Sequence, residues 1–127
     1  MQPFHESIGI APIASTGQDV SGTMELVVDE HHLNTFGGLH GGVIATILDS
    51  AMGRAVRAGL DEGQFPVTVQ MTITYLAKAQ RGDLLQARPE IRRRGATLVL
   101  VEADLVRPAD GEEIAHAIAT FTVGTSR

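Results

Sequence analysis

The sequence predicts an α+β domain in which one amphipathic helix packs on an antiparallel sheet. Three observations carry that expectation. A glycine-rich turn, Gly37 to Gly42, opens a stretch of helical apolar spacing over residues 41–58. Several later segments alternate with a period of two, and turn-forming residues separate them. No internal repeat, low-complexity tract or long linker divides the 127 residues, so a single domain over 1–127 is expected.

Residues 1–20 hold Pro3, Gly9, Pro12 and Gly17 and read as an N-terminal loop or short helix. In 22–29, Met24, Leu26 and Val28 point one way and Thr23 and Glu25 the other, as in a half-buried strand. In 41–58, Ile44, Ile47, Leu48, Ala51 and Ala55 make an apolar stripe, with Thr46, Ser50, Arg54 and Arg57 opposite. Asp49 stacks between Ala45 and Gly53, whose small size leaves room beside a carboxylate. Gly59 is a candidate helix stop. In 67–75, alternation puts Val67, Val69, Met71, Ile73 and Tyr75 on one face and Thr68, Gln70, Thr72 and Thr74 on the other. Strands follow at 84–93, 97–106 and 113–123, separated by Gly95 and by Pro108 to Gly111. Pro89 marks an edge or a bulge. Four consecutive strands joined by short turns predict a meander.

Composition narrows the function. A net charge of −5 argues against nucleic acid as a partner, because binding it needs a basic footprint. No apolar run is long enough to span a membrane. Residues 1–6 lack a basic stretch followed by an apolar one, so no signal peptide is expected. A cytoplasmic location follows by elimination. Without cysteine, disulfides and thiolate nucleophiles are excluded. His5, His31, His32 and His116 lack ligand spacing backed by other ligands, so no metal site is expected.

The chemistry points to the helix start. Unpaired N–H groups and the positive end of the helix dipole can hold an oxyanion there, which nominates Gly41 and Gly42. The blander reading is a close backbone approach that excludes side chains. Asp49 lies too far inside the helix to cap it, so it is either a solvated rim residue or a catalytic carboxylate. His40 is either a general base or a turn residue with a local hydrogen bond. Asn34 could form an Asx turn or position water, and Thr68 could simply suit a strand face. Arg92, Arg93 and Arg94, with Arg88 nearby, are either a solvated strand end or a phosphate clamp.

The spacing of Asn34, His40-Gly41-Gly42 and Asp49, followed by the strand Val67 to Leu76, resembles the hotdog-fold acyl-CoA thioesterases of the phenylacetate-degradation (PaaI-like) type. The resemblance runs over residues 20–124. It implies an antiparallel five- to six-stranded sheet wrapped around one long central helix. It implies that Gly41 N–H polarises the thioester carbonyl while Asp49 activates water or attacks directly. It also implies that Asn34 positions water or substrate and that Thr68 assists across a subunit interface. The acyl-CoA is the substrate, and no separate cofactor is implied. Relatives often carry Arg-Pro after Tyr-Leu, where this chain has Ala77-Lys78-Ala79. A homodimer, or a dimer of dimers, is expected, with the uncharged row Thr68, Gln70, Thr72 and Thr74 as a partner surface. Two other readings are a hotdog hydratase or dehydratase, which would promote His40, and a non-catalytic acyl-CoA-binding module.

Overall fold

The computed structural model describes residues 2–13 and 22–126. Helix α1 (Pro3–Ile8) is followed by β1 (Ala11–Pro12), β2 (Met24–Val27) and a 3-10 turn at Glu30–His32. The long helix α2 (Gly41–Arg57) leads to β3 (Gln64–Tyr75), β4 (Leu84–Arg94), β5 (Leu98–Arg107) and β6 (Glu112–Thr125). The short-helix reading of the N-terminal segment thus holds at α1, while Gly17 lies outside the described residues. Among the described residues, no helix is long and apolar enough to cross a membrane.

The six strands form one antiparallel sheet in the order β1-β2-β4-β5-β6-β3. The meander is real for β4, β5 and β6. The expected adjacency of β3 and β4 is not: β3 lies at the far edge and pairs with β6. Sequential strands are neighbours often but not always, and here the chain leaves β3 at one edge and re-enters the sheet beside β2. Pro89 sits where β4 has run past the four residues that β2 covers, so its missing N–H forgoes no ladder bond on that side. The bulge in β4 comes later, between Ile91 and Arg93.

The apolar stripe of α2 is fully buried, and Met52 and Val56 join the expected members. It packs on a sheet face carrying Ala87, Ala103, Ala115, Ala117 and Ala119, with Val101, Leu105 and Phe121. Alanines at the centre let the helix lie close to the strands, and the larger side chains fill the flanks.

Strand β3 departs from simple alternation. Thr68 pairs with Phe121 and Gln70 with Thr120, so Val69 is an extra residue. One extra residue reverses which side the chain presents. Thr68 therefore shares the helix side with Met71, Ile73 and Tyr75, while Val67 faces outward with Gln70, Thr72 and Thr74. The expected grouping of Val67 with Met71, and of Thr68 with Gln70, fails at this bulge.

Helix α2 ends at Arg57, one residue before the expected limit. Its last carbonyls are met by Arg94, which donates to Val56 O at 3.2 Å and Ala55 O at 3.0 Å. Gly59 follows without a left-handed turn; its role is space, since a Cβ there would fall 2.5 Å from the Arg94 guanidinium carbon. Arg94→Ala should therefore cost about 1 kcal/mol, the usual net worth of such hydrogen bonds. That corresponds to roughly 4 °C in Tm for a domain of this size. An unchanged thermal melt would show that the cap contributes nothing.

Candidate active site

The start of α2 is shaped by local hydrogen bonds. Asn34 Oδ1 accepts from Phe36 N–H at 2.8 Å and Gly38 N–H at 3.2 Å, and Asn34 N–H donates to Gly38 O. Gly37, with φ of 81°, makes the turn tight enough for this closure. His40 is the N-cap: its Nδ1 accepts from Gly42 N–H at 2.8 Å. That engages the Nδ1 lone pair, so the neutral ring carries its proton on Nε2. The N–H groups of Val43 and Ile44 go to His40 O. Among the described residues this leaves Gly41 N–H without an acceptor, at the positive end of the helix. Tyr75 closes the other side, donating from Oη to Gly41 O at 3.2 Å.

Asp49 lies in the third turn, half-buried. Thr68 Oγ1 donates to its Oδ1 at 2.7 Å, a contact that the Val69 bulge makes possible. Among the described residues Oδ2 has no protein partner. Two adjoining cavities, each of about 400 Å³, meet at Asp49, Ser50, Thr68, His5 and Gln2. One runs past Ala45, Thr46, Met71 and Phe4. The other runs past Gly53, Arg54, Arg57 and Phe65. Helix α1 roofs the junction, and His5 Nε2 bonds Ser50 Oγ at 2.9 Å. A second histidine holds α1 in place: buried His32 bonds Ile8 O through Nε2 at 2.5 Å and accepts from Asp29 N–H through Nδ1 at 2.8 Å.

An accessible carboxylate in an open groove, with a free N–H at the start of the same helix, can activate water and hold an oxyanion. The comparisons agree with that chemistry. Residues 36–114 match the family model of the Thioesterase superfamily. Acyl-coenzyme A thioesterase 13 of Homo sapiens is 34% identical over 100 residues, covering 79% of this chain and 71% of that enzyme.

The chain belongs to the thioesterase superfamily.

A Bacillus halodurans protein solved with CoA superposes with a TM-score of 0.84 at 27% identity, over 98% of this chain and 77% of that one. A phenylacetic acid degradation-related protein of Ralstonia eutropha gives 0.81 at 28% identity, over 96% and 90%. The six-stranded sheet around α2 is the hotdog fold of this superfamily, of the PaaI-like type.

In this thioesterase-superfamily chain the nominated residues fall into separate groups. Asn34, His40, Gly41 and Gly42 gather at the helix start, where Gly42 N–H is taken by His40. Asp49 and Thr68 form a second group, joined within one chain. The three arginines have different surroundings. Arg94 caps α2, Arg92 pairs with Glu90 at 3.2 Å and Glu102 at 3.6 Å, and Arg93 keeps a guanidinium without a partner among the described residues. Away from α2, Asp104, Glu113 and His116 bring ligating atoms within 4.8 Å of one another on the outer face of the sheet. There His116 Nδ1 donates to Asp104 Oδ1 at 2.5 Å, and that bond raises the His116 pKa above its ordinary value.

Three groove residues were not nominated for the site from the sequence. Arg54 and Arg57 follow Asp49 at i+5 and i+8, on the polar side of α2 that the spacing already marked. His5 had no local signal, because α1 reaches the groove only through the tertiary fold.

Burial, and then the charge of Arg54, holds the His5 pKa below its ordinary value. The folded state therefore binds this proton less readily than the unfolded chain does. Stability should fall as pH drops below the unfolded value of about 6.5, until the lowered folded value is passed. Thermal melts of wild type and His5→Gln between about pH 7 and 5 should diverge, with the variant less sensitive to acid. Parallel profiles would remove His5 as the source.

Proposed function

We propose that the protein hydrolyses acyl-CoA thioesters to the free acid and CoA, with Asp49 as general base. The observation that carries this is the Asp49 carboxylate in an open groove, one oxygen fixed by Thr68 and the other free to take a proton from water. The likeness to a named acyl-coenzyme A thioesterase and to a protein solved with CoA supports the substrate class. Water adds to the thioester carbonyl as its proton passes to Asp49 Oδ2. Gly41 N–H receives the growing oxyanion. Collapse expels the CoA thiolate, which takes up the proton. Asn34 and His40 serve by holding the turn that presents Gly41. His40 is a poor candidate for a base while its Nδ1 is occupied by Gly42 N–H, which favours hydrolysis over the hydratase reading. No cofactor apart from the substrate is proposed.

One chain does not complete this site. Gly41 and Asp49 are eight positions apart on one helix, about 12 Å along the axis, which is too far to flank a single carbonyl. We therefore assign Gly41 and Asp49 of each site to different protomers. Among the described residues strand β3 has a neighbour on one side only, and pairing it with a second β3 about a two-fold axis sets two α2 helices side by side in opposite directions. The outward residues Gln70, Thr72 and Thr74, with exposed Val67, Leu98 and Ile118, form a face on which two dimers could pack.

Asp49→Asn should lower kcat by about 10²–10⁴-fold, the usual contribution of a general base, with substrate still bound. A variant keeping a third of wild-type turnover would end the assignment. Gly41→Pro removes the oxyanion donor while suiting the first position of a helix, since His40 already has the extended ψ of 133° that proline demands of its predecessor. Each variant alone should be inactive. Mixing and refolding them together should restore activity, because one of the two hybrid sites then has both groups. Absence of recovery in verified hybrids would refute the shared site.

A further inference from the structure

The two arms of the groove differ in charge. From Asp49 towards the start of α2 the walls are Ala45, Thr46, Met71 and Phe4, with no arginine or lysine among the described residues. From Asp49 towards its end they carry Arg54 and Arg57. Asp49, Ser50, Gly53, Arg54 and Arg57 follow the i, i+1, i+4, i+5, i+8 spacing of one helical stripe. The two arginines thus stand about 7.5 and 12 Å beyond Asp49 along the helix axis.

Neither guanidinium has a hydrogen-bond or ion-pair partner among the described residues. Arg107, by contrast, is satisfied by Asp83 and Asp110, and Arg94 by the helix carbonyls. Apart from Asp49, no carboxylate among the described residues lines this arm. His5, Ser50 and Gln64 add groups able to donate hydrogen bonds, while Phe65, Pro66 and Phe121 give an apolar wall for methylene groups. Two unpaired guanidiniums in one cavity favour an anion, and their planar forks suit a carboxylate.

We propose that this arm is a subsite for a negatively charged acyl tail, so that the preferred substrates are thioesters whose acyl chain ends in a second carboxylate. This rests on the thioesterase reading above. The uncharged arm suits the neutral, amide-linked pantetheine chain. That leaves the cationic arm for the acyl group. The same anionic chemistry is offered by the CoA phosphates, and comparing CoA with a phosphate-free pantetheine carrier separates the two sources.

The test compares adipoyl and hexanoyl thioesters, which differ only at the far end of a chain of equal length. Each acyl group is presented on CoA and on pantetheine, which lacks the phosphates. Wild type should favour adipoyl by about tenfold or more in kcat/KM on both carriers, as a charge-assisted hydrogen bond allows. In Arg54→Gln/Arg57→Gln that ratio should collapse towards one, and Arg54→Lys/Arg57→Lys should restore part of it. Matching thermal melts would confirm that the variants fold. A wild-type ratio near or below one overturns the subsite. So does a Gln variant that weakens all CoA thioesters alike and spares the pantetheine ones, which would assign the arginines to phosphate. Hydrolysis of no thioester by wild type would overturn the thioesterase reading and the subsite with it.

Discussion

Burial of the α2 stripe against the concave sheet is the interaction on which the rest of the molecule depends. Seven buried positions of one helix meet a sheet floor that carries Ala87, Ala103, Ala115, Ala117 and Ala119. Small side chains at the centre of that floor let the helix lie close to the strands. Everything functional is then placed by how α2 sits. Its first turn presents Gly41 N–H, its third turn carries Asp49, and its last turns carry Arg54 and Arg57. The polar side of the helix becomes one wall of a groove because the apolar side is spoken for. Helix α1, held through His32, and the inner side of β3 supply the other walls.

Most of the secondary structure was legible in the sequence because it follows from periodicity. The 3.6-residue stripe fixed α2 to within one residue, and Met24, Leu26 and Val28 are buried on one side as their alternation implies. The strand order was less legible. Alternation says which side of a strand is buried but not which strand lies beside it. The pairing of β3 with β6 joins segments about fifty residues apart through contacts that leave no local trace. The Val69 bulge was hidden for a similar reason, since Val-Thr-Val-Gln-Met reads as unbroken alternation.

The site was legible in part. The helix start and its interior carboxylate stood out because their residue types conflict with ordinary helix interiors. What those residues touch did not stand out. Asn34 could have held water or a turn, and the structure shows it accepting two backbone bonds within its turn. Arg92, Arg93 and Arg94 looked like one feature because they are adjacent in sequence. The fold gives two of them separate duties, as an ion-pair partner and as a helix cap. The cations that do line the groove are spaced along a helix, where adjacency is measured in turns rather than in residues.

The bulge at Val69 also sets how this strand can change over time. A strand carrying one odd residue has a parity, and parity is altered by insertion or deletion but not by substitution. Losing Val69 would bring β3 back to even alternation, turning Val67 onto α2 and carrying Thr68 away from Asp49 to the outer surface. A single deletion would thus rewrite the helix contact and the catalytic pair together, whereas point changes can adjust each alone. Keeping the Thr68–Asp49 contact therefore constrains the length of this strand more than the identity of its outward residues.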